Sequence, residues 1–160
     1  MNKALVFQHL IKALQSQLDT AEQAAKQAYE SATHKENVAE NKYDTLGLEA
    51  SYLAEGQAKR VAQCREALTF AKQLSTQQKA QSEAIKVGSV VTLCNANNEK
   101  QLFLISPIAG GTKLEFQGQH ITVITPSSPV GKQLIGLKRL DEVALNILNE
   151  PQHLEVQAIH

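Results

Sequence analysis

Residues 1–32 read MNKALVFQHLIKALQSQLDTAEQAAKQAYESA, and Phe7, Ile11, Leu14, Leu18, Ala21, Ala25, Ala28 and Ala32 follow one another at alternating steps of four and three. That spacing lays the apolar side chains along one stripe of a helix and makes the stripe a seam against a partner helix. A looser second run, Leu46, Ala50, Leu53, Gln57, Val61, Cys64, Leu68 and Ala71, slips around Gln57 as a stutter would. The residues between the runs, 33–41, are polar and contain no strong helix breaker. Two helices joined by so short a connection fold back as an antiparallel hairpin. At roughly 1.5 Å per residue, a helix of about 30 residues is about 45 Å long. The bulky seam residues lie at its base and only alanines lie toward its turn, so the hairpin is expected to narrow like a probe.

Working outward, the composition supports a thin helical part. The chain has 160 residues, 42% apolar but only 4% aromatic, with no Trp. Aromatic side chains bury the most area per residue, so a single large globular core is not expected. Lys and Arg number 16 against 16 Asp and Glu, which excludes a generally basic nucleic-acid-coating protein and an acidic tail. Gln8, His9 and Lys12 interrupt the apolar N-terminal positions, so no signal peptide is expected. No stretch approaches the 18 or more apolar residues of a membrane span. Cys64 and Cys94 have no CxxC spacing and are expected to be reduced, in a cytoplasmic protein.

Character changes near residue 86. Residues 1–86 lack proline and have only Gly47 and Gly56, whereas residues 87–160 hold Pro107, Pro126, Pro129, Pro151 and the other glycines. This predicts two domains, a helical hairpin over 1–86 and a small α+β domain over 87–160. Within the second, 87–94, 101–106, 113–116, 120–125, 142–148 and 154–159 read as short strands separated by Gly/Pro punctuation. Ser128 is suited to cap a short helix, Pro129 to occupy its first turn and Gly136 to end it. Pro151 is expected in the turn between the last two strands.

Few residue patterns carry chemistry. Gly110-Gly111 reads as a tight turn, and the five histidines share no metal-ligand spacing. Lys132, Lys138 and Arg139 cluster around the short helix and read either as a solvated face or as a contact for an acidic partner. The informative group is at the hairpin turn: Glu30, Glu36, Glu40 and Asp44 are four carboxylates within fifteen residues. Mg²⁺ takes one or two such ligands alongside water and substrate oxygens. With Lys35 and Lys42 among them, ordinary helix charge pairs are the alternative.

Two stretches resemble one family. Lys35-Glu36-Asn37-Val38-Ala39-Glu40 is similar to the tip motif of the Gre-type (GreA/GreB) bacterial transcript cleavage factors. Residues 121–136, ITVITPSSPVGKQLIG, resemble that family's strand–SPxG(K/R)xLxGK signature, and Asp141-Glu142-Val143 resembles the D-x-V that follows it. The resemblance implies an FK506-binding-protein-like (FKBP-like) fold for the C-terminal domain and docking at the rim of the RNA polymerase secondary channel. Docking would involve Ser128, Pro129, Gly131, Lys132 and Gly136. It further implies that the coiled coil enters the channel and that the tip acids Glu36, Glu40 and Asp44 assist a Mg²⁺ shared with the polymerase active site, acting on the RNA 3′ end. The protein alone would hold no cofactor, act as a monomer, and be an accessory factor rather than an enzyme. The family's earlier tip acid falls here on Thr33, which has no charge. Three other readings stay open: a channel-occupying regulator without cleavage activity, a prolyl isomerase, and a plain coiled-coil adaptor.

Overall fold

The computed structural model of the protein describes residues 1–33, 45–76, 83–147 and 150–160. In chain order its elements are α1 (Lys3–Thr33), α2 (Leu46–Thr76), β1 (Val90–Cys94), β2 (Lys100–Ile105), β3 (Lys113–Phe116), β4 (Gln119–Ile124), α3 (Pro129–Leu134), β5 (Glu142–Ile147) and β6 (Glu150–Ile159). A long helical hairpin followed by a small mixed sheet agrees with the expected two-part α+β fold. The compact units, however, are Lys12–Thr69 and Met1–Ile11 with Phe70–His160, so the roots of both helices belong with the sheet. The composition shift near residue 86 does not express that grouping. No described helix is long and apolar enough to cross a membrane.

In the helical unit the α1 seam follows the heptad reading. Leu14, Leu18, Ala21 and Ala28 are buried. Arg65 Nη2 donates to Glu22 Oε1 at 2.7 Å across the two helices. Both partners are largely exposed, so this pair orients more than it stabilises. On α2 the structure corrects the predicted register. Leu46 and Leu53 are 65% and 55% exposed, while Gly47, Ala50, Ala54, Gln57 and Val61 are half-buried, leading to buried Cys64 and Leu68. These positions step three and four without a break, so there is no stutter at Gln57. An unbroken phase set by Val61, Cys64 and Leu68 outweighs the larger hydrophobicity of two leucines. It also lets small residues meet the alanines of α1.

The sheet has the strand order β3-β4-β2-β1-β6-β5 among the described residues. Neighbours are antiparallel except β2 and β4, which run parallel with Leu102 opposite Ile121 and Leu104 opposite Val123. Among the described residues one strand forms at each of the six stretches read as strands. Alternation divides their side chains between two faces. One face carries Val91, Leu93, Phe103, Ile105, Leu145, Leu154 and Val156, which build a core with Ile85 and Leu134 of α3. The opposite face carries Val90, Leu102, Leu104, Leu114, Phe116, Ile121 and Val123, all nearly inaccessible. In the same unit Val6, Phe7 and Leu10 of α1 are fully buried, and the His9 ring stands edge-on to Phe116 at 5.4 Å. The helix roots thus cover the second face.

Two local expectations change, and the structure adds one turn. The first strand begins at Val90 because Gly88 takes a φ of +87° and the Ser89 N–H donates to Lys86 O at 3.0 Å, making residues 86–89 a turn. Pro151 lies inside β6, opposite Asn146. Its missing N–H is tolerated because β1 pairs with β6 only from Glu155 onward. The β3–β4 connection is the two-residue turn Gln117-Gly118, with φ of +51° and +74°, the double positive φ that a type I′ hairpin requires.

The corrected seam can be tested by urea denaturation of the full chain. Leu68→Ala is expected to cost about 2–5 kcal/mol. Leu53→Ala should change stability by less than about 0.5 kcal/mol. Equal costs at the two positions would restore the leucine seam. Gly56 lies in α2 with nothing within 4 Å of an added Cβ, so Gly56→Ala should stabilise by about 0.8–1 kcal/mol.

Candidate functional site

The segment from Thr125 to Asp141 gathers most of the described residues singled out from sequence. Ser128 caps α3: its Oγ accepts the Gly131 N–H at 3.0 Å and donates to Thr125 O at 2.7 Å. Pro129 occupies the first turn of the helix, where no N–H is needed. Gly131 is buried beneath Thr125, and an added Cβ would collide with the Thr125 carbonyl oxygen. Gly136 has a φ of +88° and donates its N–H to Ile85 O at 2.9 Å, while the Ile85 N–H donates to Leu137 O at 2.8 Å. Four of the five predicted docking residues therefore serve the local fold through cap, first turn, close approach and helix stop. Lys132 is the one whose side chain stands in solvent without an ion pair among the described residues.

Glu36, Glu40 and Asp44, which lie between α1 and α2 in sequence, are outside the described residues. Glu30 is described: it is exposed on α1 and sits 3.9 Å from Lys26 Nζ, one turn earlier. Thr33 ends α1, and its hydroxyl donates to Tyr29 O at 3.0 Å, with Glu30 O at 3.4 Å. That hydroxyl is engaged with its own helix and carries no charge for a cation. Among the described residues no group of three or more His, Cys, Asp or Glu side chains is arranged to hold a metal ion.

Sequence reasoning missed two features. One is a cleft of about 380 Å³ beside Cys94, Asn95, Asn98, Glu142, His153 and Glu155. Register forms it, because Cys94 and Glu142 both lie opposite Glu155 on neighbouring strands. The Cys94 thiol is turned to Asn95 O at 3.5 Å and Asn98 Oδ1 at 3.9 Å, and forms no disulfide. The alternation of polar residues at 153, 155 and 157 was the available signal. The other is the turn after α3, where Leu140 is 67% exposed.

No protein-family model matches the chain, and no curated protein does. Solved structures similar to it include GreA factor homolog 1 (Gfh1) of Thermus thermophilus, 21% identical with 94% of each chain covered and a TM-score of 0.42. Gfh1 of Thermus aquaticus is 22% identical, covering 93% of this chain and 92% of that one, with a TM-score of 0.42. The prokaryotic transcription elongation factor GreA/GreB from Nitrosomonas europaea is 16% identical, covering 64% of this chain and 90% of that one, with a TM-score of 0.40. At these identities and TM-scores, none of the likenesses assigns a role to a residue of this chain.

Because backbone rather than a flexible side chain blocks the space at Gly131, Gly131→Ala is expected to cost about 2–4 kcal/mol. Lys132→Ala should stay within about 0.5 kcal/mol of the parent. Thermal unfolding followed by circular dichroism reads both, and an unimpaired Gly131→Ala protein would contradict the steric account.

Proposed function

We propose that this chain is a Gre-type regulator of transcription elongation that binds RNA polymerase, docking through its sheet domain and passing its helical hairpin into the secondary channel. The observation that carries the reading is a combination within one chain. A two-helix hairpin, whose seam shrinks from Leu14 and Leu18 to Ala28 and Gly47 toward an acid-rich connection, is joined to a sheet domain. That domain's α3 is built on the Ser128-Pro129-x-Gly131-Lys132 sequence. Small seam residues allow a slender hairpin, and a slender hairpin suits a narrow channel.

In this reading Glu36, with Glu40 and Asp44, is presented to the RNA 3′ end at the polymerase active site. Carboxylate oxygens fit a hard cation, which commonly takes one or two from protein. A Mg²⁺ shared with the polymerase would supply charge stabilisation for phosphodiester hydrolysis. The chain then contributes ligands to another enzyme's reaction, as a cytoplasmic monomer and an accessory factor. Thr33 favours a second version, in which the protein occupies the channel without promoting cleavage. It stands where the resembling pattern carries an acid, and its hydroxyl is spent on Tyr29 O. A prolyl-isomerase reading lacks support. The aromatic residues of the stretch 87–160 are Phe103 and Phe116, 6% and 3% exposed, so neither walls an open pocket among the described residues.

Stalled, backtracked elongation complexes test the proposal. Added protein is expected to accelerate release of 3′ RNA fragments, and Glu36→Ala to reduce that stimulation by roughly tenfold or more. The channel-occupying version instead predicts no stimulation and competitive suppression of a cleavage-competent factor. Absence of stimulation, competition and binding together would reject both.

A further inference from the structure

Leucine suits position 140 poorly in two ways. It is 67% exposed, and its φ of +72° lies in the left-handed region, which side chains with a Cβ seldom occupy. It is the third residue of a turn closed by the Asp141 N–H donating to Lys138 O at 3.1 Å. A type II turn normally places glycine at that position. The turn is held from both sides. The Lys138 N–H donates to Asp141 Oδ2 at 2.7 Å, the Leu140 N–H to Val156 O at 2.8 Å, and the Val156 N–H to Asp141 O at 2.9 Å. Such over-determined, strained positions concentrate at functional surfaces. Glycine or asparagine would serve this backbone better, and a polar side chain would serve this exposure better.

The surroundings indicate what Leu140 meets. Ile135, at the end of α3, is 39% exposed. Lys132, Lys138 and Arg139 are exposed and form no ion pair among the described residues. These are three of the five Lys and Arg in residues 87–160, a stretch in which acids outnumber bases by six to five. Apolar anchors accompanied by charged residues fit a protein interface, whose binding energy concentrates in a few such anchors. Nucleic acid fits less well, since no aromatic side chain follows Phe116 for base stacking. We infer that the Lys138–Asp141 turn, with Lys132 and Ile135, is a docking surface for an acidic segment of RNA polymerase that has an apolar notch for Leu140. The inference rests on polymerase being the partner.

Binding of the full chain to RNA polymerase core enzyme, measured with Leu140→Gly and Leu140→Asn beside the parent, tests it. Both variants are expected to fold with an equal or higher Tm, because each relieves the backbone, yet to bind roughly tenfold or more weakly. A paired Lys138→Ala, Arg139→Ala variant should also bind more weakly and show a shallower salt dependence. A purely structural Leu140 would lower the Tm when replaced, and that result overturns the inference. Parent binding with undiminished binding by both Leu140 variants overturns it alone. So does a loss confined to the Lys138/Arg139 variant and matched on duplex DNA, which would mark a nucleic-acid surface. No binding by the parent overturns the polymerase reading together with it.

Discussion

The sheet is apolar on both faces, and the rest of its unit follows from that constraint. β1 and β2 present Val91 and Phe103 to one side and Val90 and Leu104 to the other, and each of these is buried. Each fully buried aliphatic or aromatic side chain is worth about 1.5–3 kcal/mol, so neither face can be left to water. α3 closes one side by inserting Leu134. The other side needs a cover that residues 87–160 do not provide. The roots of α1 and α2 supply it, with Val6, Phe7 and Leu10 fully buried and Leu74 lying 3.6 Å from where a Cβ on Gly88 would sit. The helical segment is thus both a hairpin and part of a globular core.

That double use changes the meaning of the 128–136 motif. A stretch that resembles the signature of a partner-binding family invites the reading that its residues touch the partner. Here Ser128, Gly131 and Gly136 are explained by a cap, a carbonyl that leaves no room for a Cβ, and a left-handed helix stop. Those requirements are intramolecular. Positions that the fold leaves undetermined, such as Lys132, are better placed to carry specificity. A position that works against its fold, as Leu140 does, points outward more strongly still.

The helical unit shows how phase can outrank hydrophobicity. A leucine at 46 or 53 is the larger apolar residue, yet Gly47, Ala50 and Ala54 hold the seam. Their phase continues unbroken into Cys64 and Leu68, and their size matches Ala25, Ala28 and Ala32 on α1. Leu48, Tyr52 and Leu53 consequently remain more than half exposed.

By itself the sequence determined the kinds of element and their order, because these depend on local chemistry. A four-three apolar step makes a helix seam, β-branched alternation makes strands, and Ser-Pro followed by Gly makes a short capped helix. Most of α1's seam, the end of α3 at Gly136 and the general positions of the strands were legible in this way. Only the tertiary structure decided what covers the second face of the sheet, which stripe of α2 faces α1, and that Pro151 lies within a strand. Each depends on residues distant in sequence, where burial and register are settled by the partner surface. The same holds for the candidate site. Lys132 could be named from its motif, whereas the exposed Leu140 emerged only once hydrogen bonds from β6 had fixed the turn beneath it.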